Sequence, residues 1–235
     1  MTKALITWGG WDGHQPDKVA AIFDKMLKAE GIDTEVVDHL DCFDDPDLGR
    51  YDLIVPIWTM SDLSRETTAK VGEVIARGTG LAGCHGGMCD AFRNSPLWQF
   101  ITGANWVAHP GGDGVKHKVN IISDDPLVAG IDDFEVETEQ YYLHVDPANT
   151  VLATTRTDAV TWYHSPNGAV DMPVAWTRQW GLGRVYYNSL GHQANVVESG
   201  PAYEMLRRGL VWSAQSKALA EGQDLTPWMA EGNHY

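Results

Sequence analysis

Gly83-Cys84-His85-Gly86-Gly87 lies where a buried strand ending over Thr79 to Ala82 gives way to a helix, and its glycines permit the sharp strand-to-helix turn of a nucleophile elbow. With Gly83 and Gly87 as the small flanking residues, the exposed tip is His85. With Ala82 and Gly86 in that role, it is Cys84. The first register offers an imidazole, whose ordinary pKa of about 6.5 suits a metal ligand or a general acid/base better than an acyl-transfer nucleophile. The second offers a thiol and, with His192, the makings of a cysteine hydrolase. The outer glycines favour the first, and both registers stand at this point.

Other histidines fall at sequence positions of the same kind. His14 closes Trp8-Gly9-Gly10-Trp11-Asp12-Gly13-His14, after a first strand and before a helix N-terminus, where loop side chains and free backbone N–H groups converge on ligands. The alternative is an exposed loop histidine capping Asp12 or Asp17. His192 follows a strongly apolar strand within a glycine-flanked turn, either at a site or packed in the turn. His109, before Pro110-Gly111-Gly112, is either a site residue or a solvated one. In a strand, Tyr142, His144 and Asp146 would share one face and Tyr141, Leu143 and Val145 the other. The polar three then converge on a site or form the wet face of an edge strand. Ten tryptophans are present. Trp8, Trp11, Trp58 and Trp106 fall at or near strand ends and loops, where flat apolar faces with N–H edges suit pyranose rings, whereas Trp98, Trp180 and Trp212 read as packing.

The elements that must position these groups alternate. Ala4 to Thr7 reads as a strand. Pro16 then opens a helix whose apolar residues Val19, Ile22, Phe23, Met26 and Leu27 keep the helical period until Gly31. Thr34 to Val37 and Leu53 to Ile57 read as strands, Arg65 to Arg77 as a helix stopped by Gly78, and Gly80 to Cys84 as a fourth strand. Such alternation predicts an α/β fold, a doubly wound and mostly parallel sheet with helices on both faces. The ligand site is expected at the carboxyl ends of the strands, at Trp8-Gly9-Gly10, Trp58-Thr59-Met60 and the elbow. From Val115 the signals become short strands over Lys118 to Ile122, Glu135 to Glu139, Val151 to Thr155, Met172 to Thr177 and Arg184 to Asn188, with a closing helix over Pro201 to Ser213. Residues 1–215 read as one domain. Residues 216–235 read as an arm that frays or docks on a second copy, so a homo-oligomer is expected.

Composition narrows the partners. The chain has 235 residues, 43% of them hydrophobic, enough for a sizeable core. Seventeen Lys and Arg against 32 Asp and Glu leave a formal charge of -15, which repels phosphate backbones and anionic lipid, so neither nucleic acid nor membrane is expected as a partner. No apolar run approaches the roughly 18 residues of a membrane span, and the N-terminus runs straight into a strand without a signal-peptide pattern, which predicts a cytoplasmic protein. Cys42, Cys84 and Cys89 are an odd number without a Cys-x-x-Cys pair, so no disulfide framework or zinc finger is indicated.

Three stretches, the elbow Gly83-Cys84-His85-Gly86-Gly87, Thr138-Glu139-Gln140-Tyr141-Tyr142, and Trp180-Gly181-Leu182-Gly183-Arg184-Val185-Tyr186-Tyr187-Asn188-Ser189-Leu190-Gly191-His192, resemble the ThuA-like proteins, named for trehalose utilisation, over roughly residues 3 to 213. The resemblance implies a class I glutamine amidotransferase-like (flavodoxin-like) fold in which His85 replaces the cysteine nucleophile and His192 occupies the triad-histidine position. It places Glu139 nearest the centre, and a carboxylate beside imidazoles is the donor set of a divalent metal or proton-transfer site. The implied catalytic residues are His85, Glu139 and His192, which would also be the ligands of a divalent metal such as zinc; no nucleotide cofactor is expected. Candidate substrate-binding residues are Trp8, Trp11, His14, Trp58, His109, Tyr141 and His144. The implied ligand is a small sugar, with chemistry on 3-keto-sugar derivatives. The alternatives are a non-catalytic sugar-binding protein and a hydrolase using Cys84.

Overall fold

In the computed structural model, which describes residues 1–158 and 162–228, the first half is built of strand–helix units. Strand β1 (Lys3–Gly10) leads through a short turn into α1 (Pro16–Ala29) and β2 (Asp33–Val37); β3 (Leu53–Thr59), α2 (Arg65–Ala76) and β4 (Gly80–Cys84) follow. Pro16 starts α1, where its missing N–H costs nothing, and the helix buries Val19, Ala20, Phe23, Met26 and Leu27 along one stripe. At the start of α2 the Ser64 hydroxyl accepts the Thr67 N–H at 2.9 Å, a cap worth about 1 kcal/mol. β4 is buried along its whole length and β3 at every residue but Trp58, the mark of parallel strands covered on both faces.

After the elbow come α3 (Gly86–Cys89), α4 (Pro96–Thr102), β5 (Ala104–Ala108), β6 (Val115–Ile121), β7 (Phe134–Thr138), β8 (Tyr142–Val145), β9 (Thr150–Thr157), β10 (Val170–Trp180), β11 (Gly183–Asn188), α5 (Ala194–Val197), α6 (Gly200–Ala214) and α7 (Ser216–Ala220). The main sheet runs β2-β1-β3-β4-β11-β10-β9-β6-β7. Its first five strands are parallel, in flavodoxin-like order. The remaining strands extend it antiparallel from β11 outward, and β5 pairs with β8 in a separate two-stranded sheet. The expected amidotransferase-like α/β architecture is thus present. One core packs α1 and α6 on one face of the sheet, and the other packs α2, α3 and α4 on the opposite face.

Two features shape the site. β3 and β4 pair only through Leu53–Gly80 and Ile54–Leu81, and α3 then packs so closely on β3 that a methyl on Gly87 would lie 2.9 Å from Ile57 Cα and the Pro56 carbonyl. Glu139 sits just past the end of β7, outside the ladder that ends at Thr138 pairing with Val115, not at the end of a strand as its sequence suggests. After α6, the Ser216 hydroxyl accepts the Arg184 N–H at 2.8 Å and Lys217 donates to the Gly49 carbonyl at 2.7 Å. Residues 216–220 therefore pack on their own sheet, while 229–235 of the expected arm lie outside the described residues. Among the described residues no helix is long and apolar enough to cross a membrane.

Candidate functional site

The carboxyl ends of β1, β3, β4 and β11, with the segment after β7, bring four polar side chains together out of solvent. His85 occupies the elbow itself, with φ 51° and ψ -137°, the left-handed backbone that a non-glycine residue adopts only when its surroundings enforce it. Cys84 is the last residue of β4, pressed against Gly191, and burial pushes its thiol up to about 12. The tip is therefore His85, and the alternative register falls: a protonated, enclosed thiol is no nucleophile. His14 ends the short helical turn after β1, and its Nδ1 lies 2.8 Å from the Thr59 hydroxyl at the end of β3. His192 follows β11 through Gly191.

Glu139 stands among the three imidazoles. Its Oε2 is 3.1 Å from His85 Nε2, 3.3 Å from His192 Nδ1 and 4.0 Å from His14 Nε2. One ligand atom from each of the four residues lies within 4.8 Å of all the others. Zinc bonds of about 2.0–2.2 Å set tetrahedral donors about 3.3–3.6 Å apart, so small movements would close this cage on an ion. All four residues are buried.

Proton accounting around His85 defines what the cluster can hold. Its Nδ1–H donates to the Ser189 carbonyl at 2.8 Å. A neutral imidazole has one N–H, so Nε2 then turns a lone pair toward the Glu139 carboxylate. Only a second proton or a cation reconciles the two. Burial lowers the pKa of His85, and burial together with the neighbouring His85 and His192 pushes His14 down to about 2, so extra protons are disfavoured. Glu139 stays ionised, since burial alone would raise its pKa but the surrounding His192 and His85 bring it below the usual carboxylate range. Buried His192 Nδ1 has no partner in hydrogen-bond geometry. The donor set is thus three imidazoles and one carboxylate gathered out of solvent around one point, a set that suits a divalent cation.

The remaining candidates divide. Tyr141 stacks on His85 with ring centroids 3.9 Å apart. Half-exposed His109 brings Nε2 to 3.9 Å from Glu139 Oε1 and leans on Trp106. Trp11, 46% exposed, meets His14 edge-on at 4.7 Å. Trp8 and Trp58 are half-buried and pack on the two cores. Against expectation, His144 does not reach the cluster. Strand β8 buries the face of Tyr141 and Leu143 and turns His144 outward, opposite Asn105, while Tyr142 pairs with His164 and Asp146 with Arg178. The alternation in that strand is as read, but the site lies on its other face. Thr59 and the Ser189 carbonyl, which fix two imidazoles, were not singled out in the sequence; their only signal is position at strand ends. A cavity of about 720 Å³ lies between the N-termini of α2 and α4 and includes none of the cluster.

The family model described as ThuA, trehalose utilisation, matches residues 3–213. Among solved structures, the chain is similar to a ThuA-like protein from Parabacteroides merdae (TM-score 0.70, 19% identity, 92% of this chain and 91% of that one). A ThuA-like protein from Bacteroides uniformis gives a TM-score of 0.69 at 17% identity, covering 92% of each chain. A GMP synthase-type protein from Thermoplasma acidophilum gives 0.53 at 15% identity, covering 93% and 97%. At these identities the likeness concerns the fold. No curated protein matches the chain.

Proposed function

The chain belongs to the ThuA (trehalose utilisation) family, and from that premise we propose that His14, His85, His192 and Glu139 hold a divalent metal such as zinc in an enzyme acting on 3-keto derivatives of sugars. The observation that carries the reading is the buried group of three imidazoles around one carboxylate, with His85 Nε2 3.1 Å from Glu139, a donor set that suits a divalent cation. When bound, the ion would supply Lewis-acid stabilisation of negative charge developing on a carbonyl oxygen.

The rest is work for the chain's own residues. His109 is the histidine of the group with access to solvent, so it is the base for the C–H between a ketone and an anomeric carbon, a proton the ketone acidifies. Glu139 Oε1, 3.9 Å away, steadies the ring once protonated. The electron pair left on carbon forms a double bond to the anomeric carbon, the glycosidic C–O bond breaks, and the departing oxygen recovers the proton from His109. Trp11, 46% exposed beside His14, offers a flat face to the sugar ring. Glu139 is the one buried carboxylate of the cluster, whereas hydrolysis of an unoxidised glycoside ordinarily uses two carboxyl groups about 5–9.5 Å apart. Three free cysteines suit a reducing, cytoplasmic setting.

Elemental analysis of the purified protein, followed by parallel assays on trehalose and its 3-keto form with and without chelator, tests this. We expect about one equivalent of metal per chain and chelator-sensitive turnover of the keto sugar alone. Cleavage of plain trehalose, or keto-sugar turnover indifferent to complete metal removal, would refute it.

A further inference from the structure

His85 and His14 have their outer nitrogens fixed by the rigid frame, on the Ser189 carbonyl and the Thr59 hydroxyl. His192 is turned the other way: Nδ1 faces Glu139 and Nε2 faces outward, with Asp113 Oδ2 3.6 Å away. Asp113 is exposed, in the loop of residues 109–114 between β5 and β6, and Gly111, Gly112 and Gly114 around it all take positive φ. Its other oxygen, Oδ1, already accepts the Gly114 N–H at 2.8 Å, which orients the carboxylate and leaves Oδ2 for the imidazole. The same loop begins with His109, whose ring rests on Trp106 under the Arg93 guanidinium.

We infer that Asp113 is a positioning residue of the centre: it accepts the Nε2–H of His192, fixes the tautomer that presents the Nδ1 lone pair, and so ties the loop carrying His109 to metal occupancy. This rests on the metal reading above. The reason is proton accounting again. An imidazole that ligates through Nδ1 must carry its proton on Nε2; this ring is nearly buried, and among the described residues Asp113 is the acceptor within reach of that nitrogen. A carboxylate there also raises the basicity of the ligating nitrogen, and loss of such outer partners typically weakens metal affinity 10–100-fold. Metal binding then draws the loop inward, because an ion that pins His192 gives Asp113 a fixed N–H to meet.

The test is cobalt(II) titration of the metal-stripped full chain, wild type against Asp113→Ala and Asp113→Glu, read by the visible absorption bands of bound cobalt and by hydrogen exchange of residues 109–114. We expect Asp113→Ala to bind cobalt about 10–100-fold more weakly, with altered bands and no metal-induced protection of the loop. Its metal-free melting temperature should be unchanged, and Asp113→Glu should recover most of the affinity. Wild-type affinity, bands and loop protection in Asp113→Ala would overturn the inference while leaving the metal reading intact. A metal-free Asp113→Ala that melts lower in proportion to its lost affinity would overturn it in favour of a structural role. A wild-type chain that binds no cobalt, zinc or manganese would sink both.

Discussion

At position 85 backbone and side chain are committed to one purpose. A non-glycine residue at φ 51° costs on the order of 1–3 kcal/mol, and here that strain aims an imidazole at Glu139 while Cys84, one residue back, is sealed behind Gly191. The two neighbours therefore predict opposite mutant behaviour. His85→Ala should lose metal binding by more than about 100-fold, since it removes one of the four proposed ligands and the hydrogen bond to Ser189. Cys84→Ala should bind metal within a few-fold of wild type. Alkylation with iodoacetamide near pH 7.5 should leave Cys84 unlabelled, because burial holds its thiol at about 12; peptide mapping that finds Cys84 modified in the folded protein would reverse the assignment of the tip.

The elements bring those residues together by close backbone approach, which predicts where a single methyl would be costly. A Cβ on Gly86, the first residue of α3, would sit 2.7 Å from Thr59 Oγ1 and 2.8 Å from His14 Cε1. Gly86→Ala should therefore push His14 off Thr59, destabilise the fold by about 1–3 kcal/mol, and weaken metal binding at least tenfold. Calorimetry that finds affinity unchanged would show that His14 is not a ligand. The first four strands, α1, α2 and the elbow were legible in the sequence because buried parallel strands and amphipathic helices carry strong patterns, and Pro16, Gly31 and Gly78 mark their ends. Ala104–Ala108 was not, since an edge strand of Ala-Asn-Trp-Val-Ala has no clean alternation and gains its partner β8 only through the tertiary fold. His85, His192 and Glu139 were legible as site candidates from glycine-bracketed strand ends and family motifs. His144 was misplaced because period 2 gives two faces without saying which one meets the site. Thr59, Ser189 and Asp113 act through distances across the fold, which no local pattern encodes.

For the whole molecule, the buried cluster couples stability to metal and to protons. An ion that binds only the folded chain adds RT ln(1 + [L]/Kd), about 2.7 kcal/mol at a hundredfold excess over Kd, or roughly 5–11 °C in Tm for a chain of this size. Protons act in the opposite sense. His14 is pushed down to about 2 and His85 is lowered, burial being the largest cause in each. Between the folded value and the unfolded value of about 6.5, the unfolded chain takes up protons that the native cluster refuses. Stability is therefore full above about pH 6.5 and is lost as pH falls below it, on the order of 2 kcal/mol for His14 between pH 6.5 and 5, with His85 acting in the same direction. The depressed Glu139 has the same sign but enters only below its unfolded value of about 4.5, outside that window. Melting the chelated protein at pH 7.5 and pH 5.5 should show the lower Tm at pH 5.5, and His14→Ala should flatten the dependence. Equal melting temperatures at the two pH values, or an unchanged slope in His14→Ala, would mean that the cluster accepts protons in place of a cation and is not built for a metal.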